Sequence, residues 1–185
     1  MIDYENTITL LNPPTYFLKK CKRKQVIKTC KKTGKQKIQL KETRQYLTVN
    51  LFYSSNGYGM ISEAVNFAKQ YLVDEITKQT EIPRLKHIQI DFEIHRPNGK
   101  GWDLDNKAGF WKKVFLDVLK DPTKKQIEKQ KQGKFNIKSL RVIEDDDANI
   151  CSKISETYLR GEEKIVIRIK GTKERDLFTT NNKTL

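Results

Sequence analysis

The stretch from Lys86 to Ile94 constrains the fold more than any other part of the chain, because its apolar and polar residues alternate strictly. The apolar members would share one side of an extended chain: Ile88, Ile90, Phe92 and Ile94. Successive side chains of a β-strand point to opposite faces, so the pattern predicts a strand with one face in the core and one toward water. Such a sheet needs a second layer to cover its apolar face.

Two segments beside this strand have the period of amphipathic helices. Between Ile61 and Lys78, apolar residues recur at three- and four-residue spacing: Ile61, Ala64, Val65, Ala68, Leu72 and Ile76. A second helix is predicted to begin at Asp103 or Asp105 and to run to about Lys120, with one buried side: Ala108, Trp111, Phe115 and Val118. Both patterns give an apolar stripe of the kind that packs on a sheet.

The remaining segments complete an α+β pattern. Thr7–Leu11 reads as a strand ended by Asn12-Pro13-Pro14, Gln25–Leu40 as a hairpin turning at residues 32–35, and residues 46–53 as helix or strand. Two closing strands are predicted at Asn149–Leu159 and Lys164–Ile169. We expect a mixed β-sheet packed against two main helices. One domain would cover residues 1–170, with a lysine-rich exposed insertion near 121–138 and a flexible tail from 171 to 185.

The charge of the chain points to a polyanionic partner. The formal net charge is +14, and Lys19 to Arg44 holds twelve Lys or Arg against one acid, Glu42. Lys120 to Arg141 holds eight against Asp121 and Glu128. Basic stretches of this density suit nucleic acid, although a solvated lysine-rich surface would look the same.

Several other classes of protein are disfavoured. No apolar run approaches the roughly 20 residues that span a bilayer, and the first residues lack the pattern of a signal peptide, so we expect a soluble cytoplasmic protein with no membrane partner. The three cysteines, Cys21, Cys30 and Cys151, lack the paired spacing of a zinc site or a disulfide framework. No nucleotide-binding loop or nucleophile elbow is present, and no small-molecule cofactor is predicted.

Two acidic clusters stand out on this basic background: Asp103-Leu104-Asp105-Asn106 and Glu144-Asp145-Asp146-Asp147. Carboxylates this close repel each other unless a cation neutralises them, and hard divalent metals prefer oxygen ligands. Each cluster alone has an ordinary explanation, as a helix cap or as a solvated turn. If both reach the same edge of the sheet, they could hold one or two Mg²⁺ ions that activate water against a phosphodiester, with a lysine beside the transition state.

The same residues resemble the RusA family of Holliday junction resolvases. The family pattern is D-x-D-N opening a helix, then a lysine, then D-x-L, and later a D-D pair before a closing hairpin. The matching segments of this chain are Asp103-Leu104-Asp105-Asn106, Asp117-Val118-Leu119 and Asp146-Asp147 before Ala148. Ile8 to Pro14 also resembles the opening strand and Pro-Pro turn of the family.

The resemblance implies a homodimeric endonuclease that resolves four-way DNA junctions by paired symmetric cuts and uses Mg²⁺, with Mn²⁺ as a substitute. The implied metal ligands are Asp103, Asp105 and Asp147, with Asp146 in support and Asp145 or Glu144 as replacements if the register shifts. Such an enzyme would suit a bacterium, phage or prophage. Two-fold related cuts also suit a dimer with two-fold symmetry.

The chain departs from the family pattern at the lysine, at Trp102 and at the insertion. Counting back from Asp117 selects Lys113 as the catalytic lysine, whereas two helical turns from Asp105 select Lys112; Lys113 is slightly favoured. Trp102 stands where a basic residue is common, so Lys100 or Arg96 would supply that charge. The predicted DNA-contacting residues are Lys22, Arg23, Lys24, Lys31, Lys32, Lys35, Lys100 and Lys112.

Two other functions fit the same sequence. One is a branched-DNA-binding protein of the same fold that has lost catalysis, which the shifted lysine and Trp102 would explain. The other is an RNA-binding protein whose acidic clusters are solvated turns.

Overall fold

The described part of the chain forms six strands and four helices. A computed structural model describes residues 2–29, 36–53, 58–97, 104–133, 136 and 138–174. In chain order the elements are β1 (Tyr4–Leu11), β2 (Tyr16–Thr29), β3 (Gln36–Tyr46), α1 (Asn50–Tyr53), α2 (Tyr58–Gln79), β4 (Leu85–Arg96), α3 (Leu104–Leu119), α4 (Lys124–Lys131), β5 (Cys151–Arg160) and β6 (Lys164–Lys173).

The main sheet has four strands in the order β1-β6-β4-β5. β4 and β5 are parallel, whereas the β1–β6 and β4–β6 pairs are antiparallel. Among the described residues, β2 and β3 pair with each other and with no other strand, as a separate antiparallel hairpin. The predicted α+β class with a mixed sheet is therefore confirmed.

The alternation along β4 is confirmed by burial, and it sets the two faces of the sheet. The apolar residues are at most 2% exposed: Ile88, Ile90, Phe92 and Ile94. On the other face, Glu93 accepts a hydrogen bond of 2.7 Å from Arg168 and lies 2.5 Å from the His95 ring. These partners lower the pKa of Glu93, with His95 as the larger cause. One face of the sheet is thus core, and the other is a polar surface.

α3 is buried on more sides than its sequence predicted. The expected stripe of Ala108, Trp111, Phe115 and Val118 is buried, and so are Phe110, Val114 and Leu119. The additional burial arises because three elements surround the helix. Phe110 stacks on Phe52 of α1 at 5.4 Å, Trp111 lies 5.6 Å from Tyr71 of α2, and Phe115 meets Phe92 of β4 edge-on at 5.6 Å.

Several element boundaries differ from the predicted ones. β6 continues to Lys173, past the expected end at Ile169 and into the segment predicted to be a tail, because Gly171 pairs with Tyr4 on one side and Ile88 on the other. The ambiguous stretch 46–53 splits into the end of β3 and the short helix α1. Residues 175–185, and the hairpin turn predicted at residues 32–35, lie outside the described residues.

None of the described residues of the lysine-rich insertion is buried, and they include a helix. Thr123 caps α4: its hydroxyl accepts from the backbone of Gln126, and the Gln126 side chain accepts from the backbone of Thr123. None of the residues of α4 is buried. This reciprocal cap stabilises a helix that has no apolar face to pack. No described helix is long and apolar enough to cross a membrane.

Gly171 tests how tightly β6 packs against β4. A Cβ atom at this position would lie 2.8 Å from the carbonyl oxygen of His87 and 2.9 Å from a methyl carbon of Leu85. We expect Gly171→Ala to lower the free energy of unfolding by about 1–3 kcal/mol, measured by urea denaturation. Gly109→Ala is the matched control, because its Cβ would meet only Val49 at 3.6 Å. Alanine inside α3 should be neutral or stabilising by up to about 1 kcal/mol.

Candidate functional site

The first acidic cluster lies where α3 begins. The helix starts at Leu104, directly after Asp103, and Asp105 is its second residue. Asp103 and the side chain of Asp105 lie outside the described part of the structure. The carbonyl oxygen of Asn106 accepts a hydrogen bond of 2.7 Å from the backbone of Val49, which fastens this end of the helix to the segment before α1. The sequence prediction that this cluster opens a helix is confirmed.

A lysine and a glutamate that the sequence did not single out lie at the same end of the fold. Lys107 is in the first turns of α3, and Glu163 is in the turn between β5 and β6. Burial raises the pKa of Glu163, and the charge of Lys107 opposes that rise. Burial lowers the pKa of Lys107, against the charge of Glu163. The Oε1 atom of Glu163 is buried without a hydrogen-bond partner among the described residues.

The turn position of Glu163 gave no sequence signal for a site. Arg160-Gly161-Glu162 reads as an ordinary polar turn, in which one more glutamate is unremarkable. Its placement follows from the sheet: His95 pairs with Lys164, so the residue before Lys164 lies at the end of β4 from which the chain passes to α3. Only the strand order brings this carboxylate near Lys107 at the start of α3.

The second acidic cluster is delivered by a short apolar segment held at the end of α3. The backbones of Leu140 and Val142 donate to the carbonyl oxygens of Val118 and Leu119 at 2.7 and 2.8 Å. Val142 and Ile143 are fully buried. Asp121 then donates from its backbone to Ile143 at 2.9 Å. The position of the residues after Ile143 is therefore fixed relative to the last turn of the helix.

Lys120 is the centre of this second cluster. Its ammonium lies 3.0 Å from Asp146, 3.5 Å from Asp117 and 4.0 Å from Asp145. Burial of the ammonium acts to lower its pKa, but the hydrogen bond to Asp146 and the charges of Asp117 and Asp146 outweigh this effect, and the pKa is raised. Asp117 is also held by Lys69 of α2 at 2.9 Å. Of the carboxylates that the sequence assigned to a metal ion, Asp146 and its possible replacement Asp145 are thus paired with this lysine.

Asp147 has a structural role at the start of β5. Its Oδ1 atom accepts hydrogen bonds from the backbones of Asn149 at 2.8 Å and Ile150 at 3.1 Å, and its carbonyl oxygen accepts from Cys151 at 2.8 Å. Burial, and then the charges of Asp146 and Asp147, raise the pKa of Cys151 to about 11. That thiol is protonated at neutral pH, so it is a weak nucleophile and a weak metal ligand.

The two acidic clusters lie at opposite ends of α3, so the expectation that they meet at one edge of the sheet is wrong. In the parallel β4–β5 pair, Ile88 is opposite Cys151 at one end and Arg96 is opposite Arg160 at the other. The first cluster follows Arg96, whereas the second precedes Cys151. Residues 105 and 120 are fifteen helical positions apart, or about 22 Å along the axis.

That separation bears on metal binding. Carboxylate oxygens bind Mg²⁺ at about 2 Å, so one ion cannot join ligands held at the two ends of α3. Within the residues that the structure describes, no group of three or more His, Cys, Asp or Glu side chains is arranged to hold a metal ion. In the second cluster, the ammonium of Lys120 lies among the carboxylates of Asp117, Asp145 and Asp146. Asp103 and the side chain of Asp105 were not part of that search, because they lie outside the described residues.

The two lysines proposed for catalysis face different neighbours. Lys112 donates a hydrogen bond to Glu156 of β5, which also accepts from the Tyr158 hydroxyl at 2.7 Å. The ammonium of Lys113 lies 5.5 Å from the ring centroid of Phe52. Neither contact is with Asp117, Asp145 or Asp146, whose neighbour is Lys120.

The side chains of most of the predicted DNA-contacting residues lie outside the described part of the structure. Lys22, Arg23 and Lys24 belong to β2, but their side chains lie outside the described part. Four more of these residues lie outside the described residues altogether: Lys31, Lys32, Lys35 and Lys100.

Comparison of the chain with protein-family models, with curated proteins and with solved structures gave no match.

Replacing Lys120 tests whether it holds the second cluster together. Lys120→Met leaves three carboxylates without their shared cation, so we expect a loss of about 1–3 kcal/mol of unfolding free energy at pH 7. The folded-state pKa of Lys120 lies above its ordinary value of 10.5. The contribution of Lys120 to the free energy of unfolding is therefore complete below pH 10.5 and disappears as the pH rises through its folded-state pKa. Thermal melts should show this loss, whereas Lys125→Met on the exposed face of α4 should have little effect.

Glu163 should destabilise the fold when it is charged. Because its pKa is raised in the folded state, the protonated carboxyl group is favoured by folding. This favourable contribution to the unfolding free energy is complete below the ordinary pKa of 4.5 and is lost as the pH rises through the folded-state pKa. We expect Glu163→Gln to raise the melting temperature at pH 7 and to have no effect near pH 4. Glu162→Gln, at the exposed neighbouring position, is the control. A lower melting temperature at pH 7 would mean that attraction to Lys107 outweighs the cost of burial.

Proposed function

We propose that this chain is a Mg²⁺-dependent endonuclease that cuts four-way DNA junctions, with Asp103 and Asp105 as metal ligands. The position of the Asp-Leu-Asp-Asn segment carries the proposal, because α3 begins within it. The positive end of the helix dipole favours ionised carboxylates at such a position. The charge of +14 supports a nucleic-acid partner, since phosphate contacts supply most of the non-specific affinity.

The residues near this end of α3 suit work on a phosphodiester. Mg²⁺ held by Asp103 and Asp105 would supply an activated water and offset charge on the leaving oxygen. Lys107 and Glu163 adjoin the site. Burial lowers the pKa of Lys107, so its ammonium is incompletely hydrated and would interact more strongly with a phosphoryl oxygen.

Lys112 and Lys113 remain the two candidates for the lysine beside the transition state. Glu156 positions the ammonium of Lys112 through a hydrogen bond, and Lys112 follows residue 105 by two helical turns, about 10 Å. Lys113 packs over Phe52 on another side of α3. Lys112→Met and Lys113→Met separate the two: the catalytic lysine is the one whose loss lowers the rate of cutting without weakening junction binding.

The sequence-based ligand set also includes Asp147, supported by Asp146, and this part of the proposal needs its own test. Asp147 caps the turn into β5, at the other end of α3 from Asp105. For both to contact one ion, α3 or the turn would have to move by many ångströms.

A synthetic four-way junction tests the proposed activity. We expect nicking in Mg²⁺ that disappears in EDTA and in Asp105→Asn, because the variant lacks a ligand charge. Asp74→Asn, on the exposed face of α2, is the matched control and should cut normally. Asp147→Asn decides between the ligand sets: cutting is retained if the ion sits at the start of α3 alone, and lost if Asp147 binds it. Wild-type protein that binds junctions in Mg²⁺ but never cuts them would contradict the proposal.

A second function, binding of branched DNA without cleavage, is favoured by one observation. Lys120 pairs with Asp145 and Asp146, and Asp147 caps the turn into β5, so three of the six carboxylates considered for the metal site have a partner within the protein. A pure binder would need no divalent cation and would keep its affinity for junctions in Asp103→Asn. Titration of labelled junction with and without Mg²⁺ distinguishes it from the nuclease.

A further inference from the structure

The base of the β2–β3 hairpin carries exposed aromatic and cationic side chains on one face. Tyr16 lies opposite Tyr46, and Leu18 lies opposite Arg44, so the four side chains share one side of the hairpin. All four are exposed, and Tyr46 most of the three apolar ones, at 58%. Exposed apolar side chains grouped beside charged ones mark a binding surface.

The other face of the hairpin base fixes the position of this surface. Phe17 is turned the opposite way, and its ring centroid lies 5.3 Å from that of Phe67 in α2. The backbone of Leu47 donates to the carbonyl oxygen of Thr15 at 3.0 Å, and the Leu47 side chain is fully buried. The base of the hairpin is therefore attached to the core, and its exposed side chains are held in place before any ligand binds.

The two tyrosine rings form an open corner. The ring centroids of Tyr16 and Tyr46 are 6.4 Å apart and their planes are at 72°, so a flat ring stacked on one of them meets the edge of the other. The guanidinium of Arg44 lies over the Tyr16 ring, 5.1 Å from its centroid. A guanidinium stacked on a ring still presents the N–H groups of its plane to a phosphate. The corner thus combines an aromatic face with a donor for an anion.

The strand that continues from this corner has a strongly basic sequence. Six of the ten residues from Lys19 to Lys28 are Lys or Arg, and none is acidic. Such a strand attracts a polyanion. The charge alone would also suit an acidic peptide, but exposed aromatic rings beside a basic track are the combination that binds single-stranded nucleic acid. Every base has a face that can stack, and every nucleotide has a phosphate.

We propose that Tyr16 and Tyr46 form a stacking platform for an unpaired base of single-stranded DNA, with Arg44 binding an adjoining phosphate. The platform needs no metal ion, and no step of the proposed cutting uses its residues. The choice of DNA over RNA rests on the proposed function. Bases within a duplex are stacked on one another, so the platform selects strands that have unpaired bases.

Fluorescence anisotropy of a labelled oligothymidylate of about twelve nucleotides, in EDTA, tests the platform in the absence of cutting. We expect the wild type to bind it and Tyr46→Ala to bind about tenfold more weakly, because stacking of a base on an aromatic ring contributes that much. Tyr46→Phe keeps the ring and should bind within about twofold of the wild type. Ile2→Ala, at a residue of similar exposure (51%) before the start of β1, is the matched control and should bind normally.

Arg44→Met separates the phosphate contact from the stacking. We expect the slope of log affinity against log salt concentration to become shallower by about 0.7, the value for one phosphate of a single strand. Tyr46→Ala should leave this slope unchanged, because stacking releases no counterion. An Arg44→Met protein with the wild-type slope would overturn the assignment of a phosphate to Arg44.

A fluorescent base provides a readout that does not depend on the variants folding well. 2-Aminopurine in the same oligonucleotide loses fluorescence when it stacks on an aromatic ring, so we expect the wild type to quench it on binding. Wild-type protein that does not bind the strand, or binds it without quenching, overturns the proposal. Binding that Tyr46→Ala leaves unchanged also overturns it.

The outcome is separable from the proposed nuclease activity. A protein that cuts junctions in Mg²⁺ but does not bind the single strand overturns the platform alone. A protein that binds the single strand through Tyr46 but never cuts contradicts the nuclease alone. Tighter binding of an oligouridylate than of the oligothymidylate would overturn the choice of DNA.

Discussion

The parallel pairing of β4 with β5 is the constraint on which the rest of this structure depends. Because the two strands run in the same direction, the chain must cross from the end of one to the start of the other, and α3 makes that crossing. The helix is held by aromatic contacts with α1, α2 and β4. The end of β4 therefore lies toward one end of α3, and the start of β5 lies toward the other.

This arrangement changes the meaning of the acidic residues. The cluster after β4 opens α3, and Lys107 in the same helix lies near Glu163, with the pKa values of both shifted by burial. In the cluster before β5, Asp145 and Asp146 pair with Lys120, and Asp147 caps a turn. Close carboxylates need a cation, and a lysine ammonium can fill that need as well as a metal ion.

Sequence patterns that depend only on neighbouring residues predicted the strands and helices well. The alternation of β4 and the apolar periods of α2 and α3 gave their positions within a few residues, since each depends on the direction of successive side chains. The predicted strand ends and buried residues were wrong where contacts with residues distant in the sequence determine them. Gly171 belongs to β6 because β1 and β4 flank it. Phe110 is buried because Phe52 happens to lie beside it.

The sequence by itself determined the α+β class, the basic charge and the start of α3 at the Asp-Leu-Asp-Asn segment. The physical reason is that hydrophobic period, helix capping and charge are properties of neighbouring residues. Only the tertiary structure decided which charged groups meet. The Lys120–Asp146 and Lys107–Glu163 neighbours follow from strand order and direction, which no local pattern encodes.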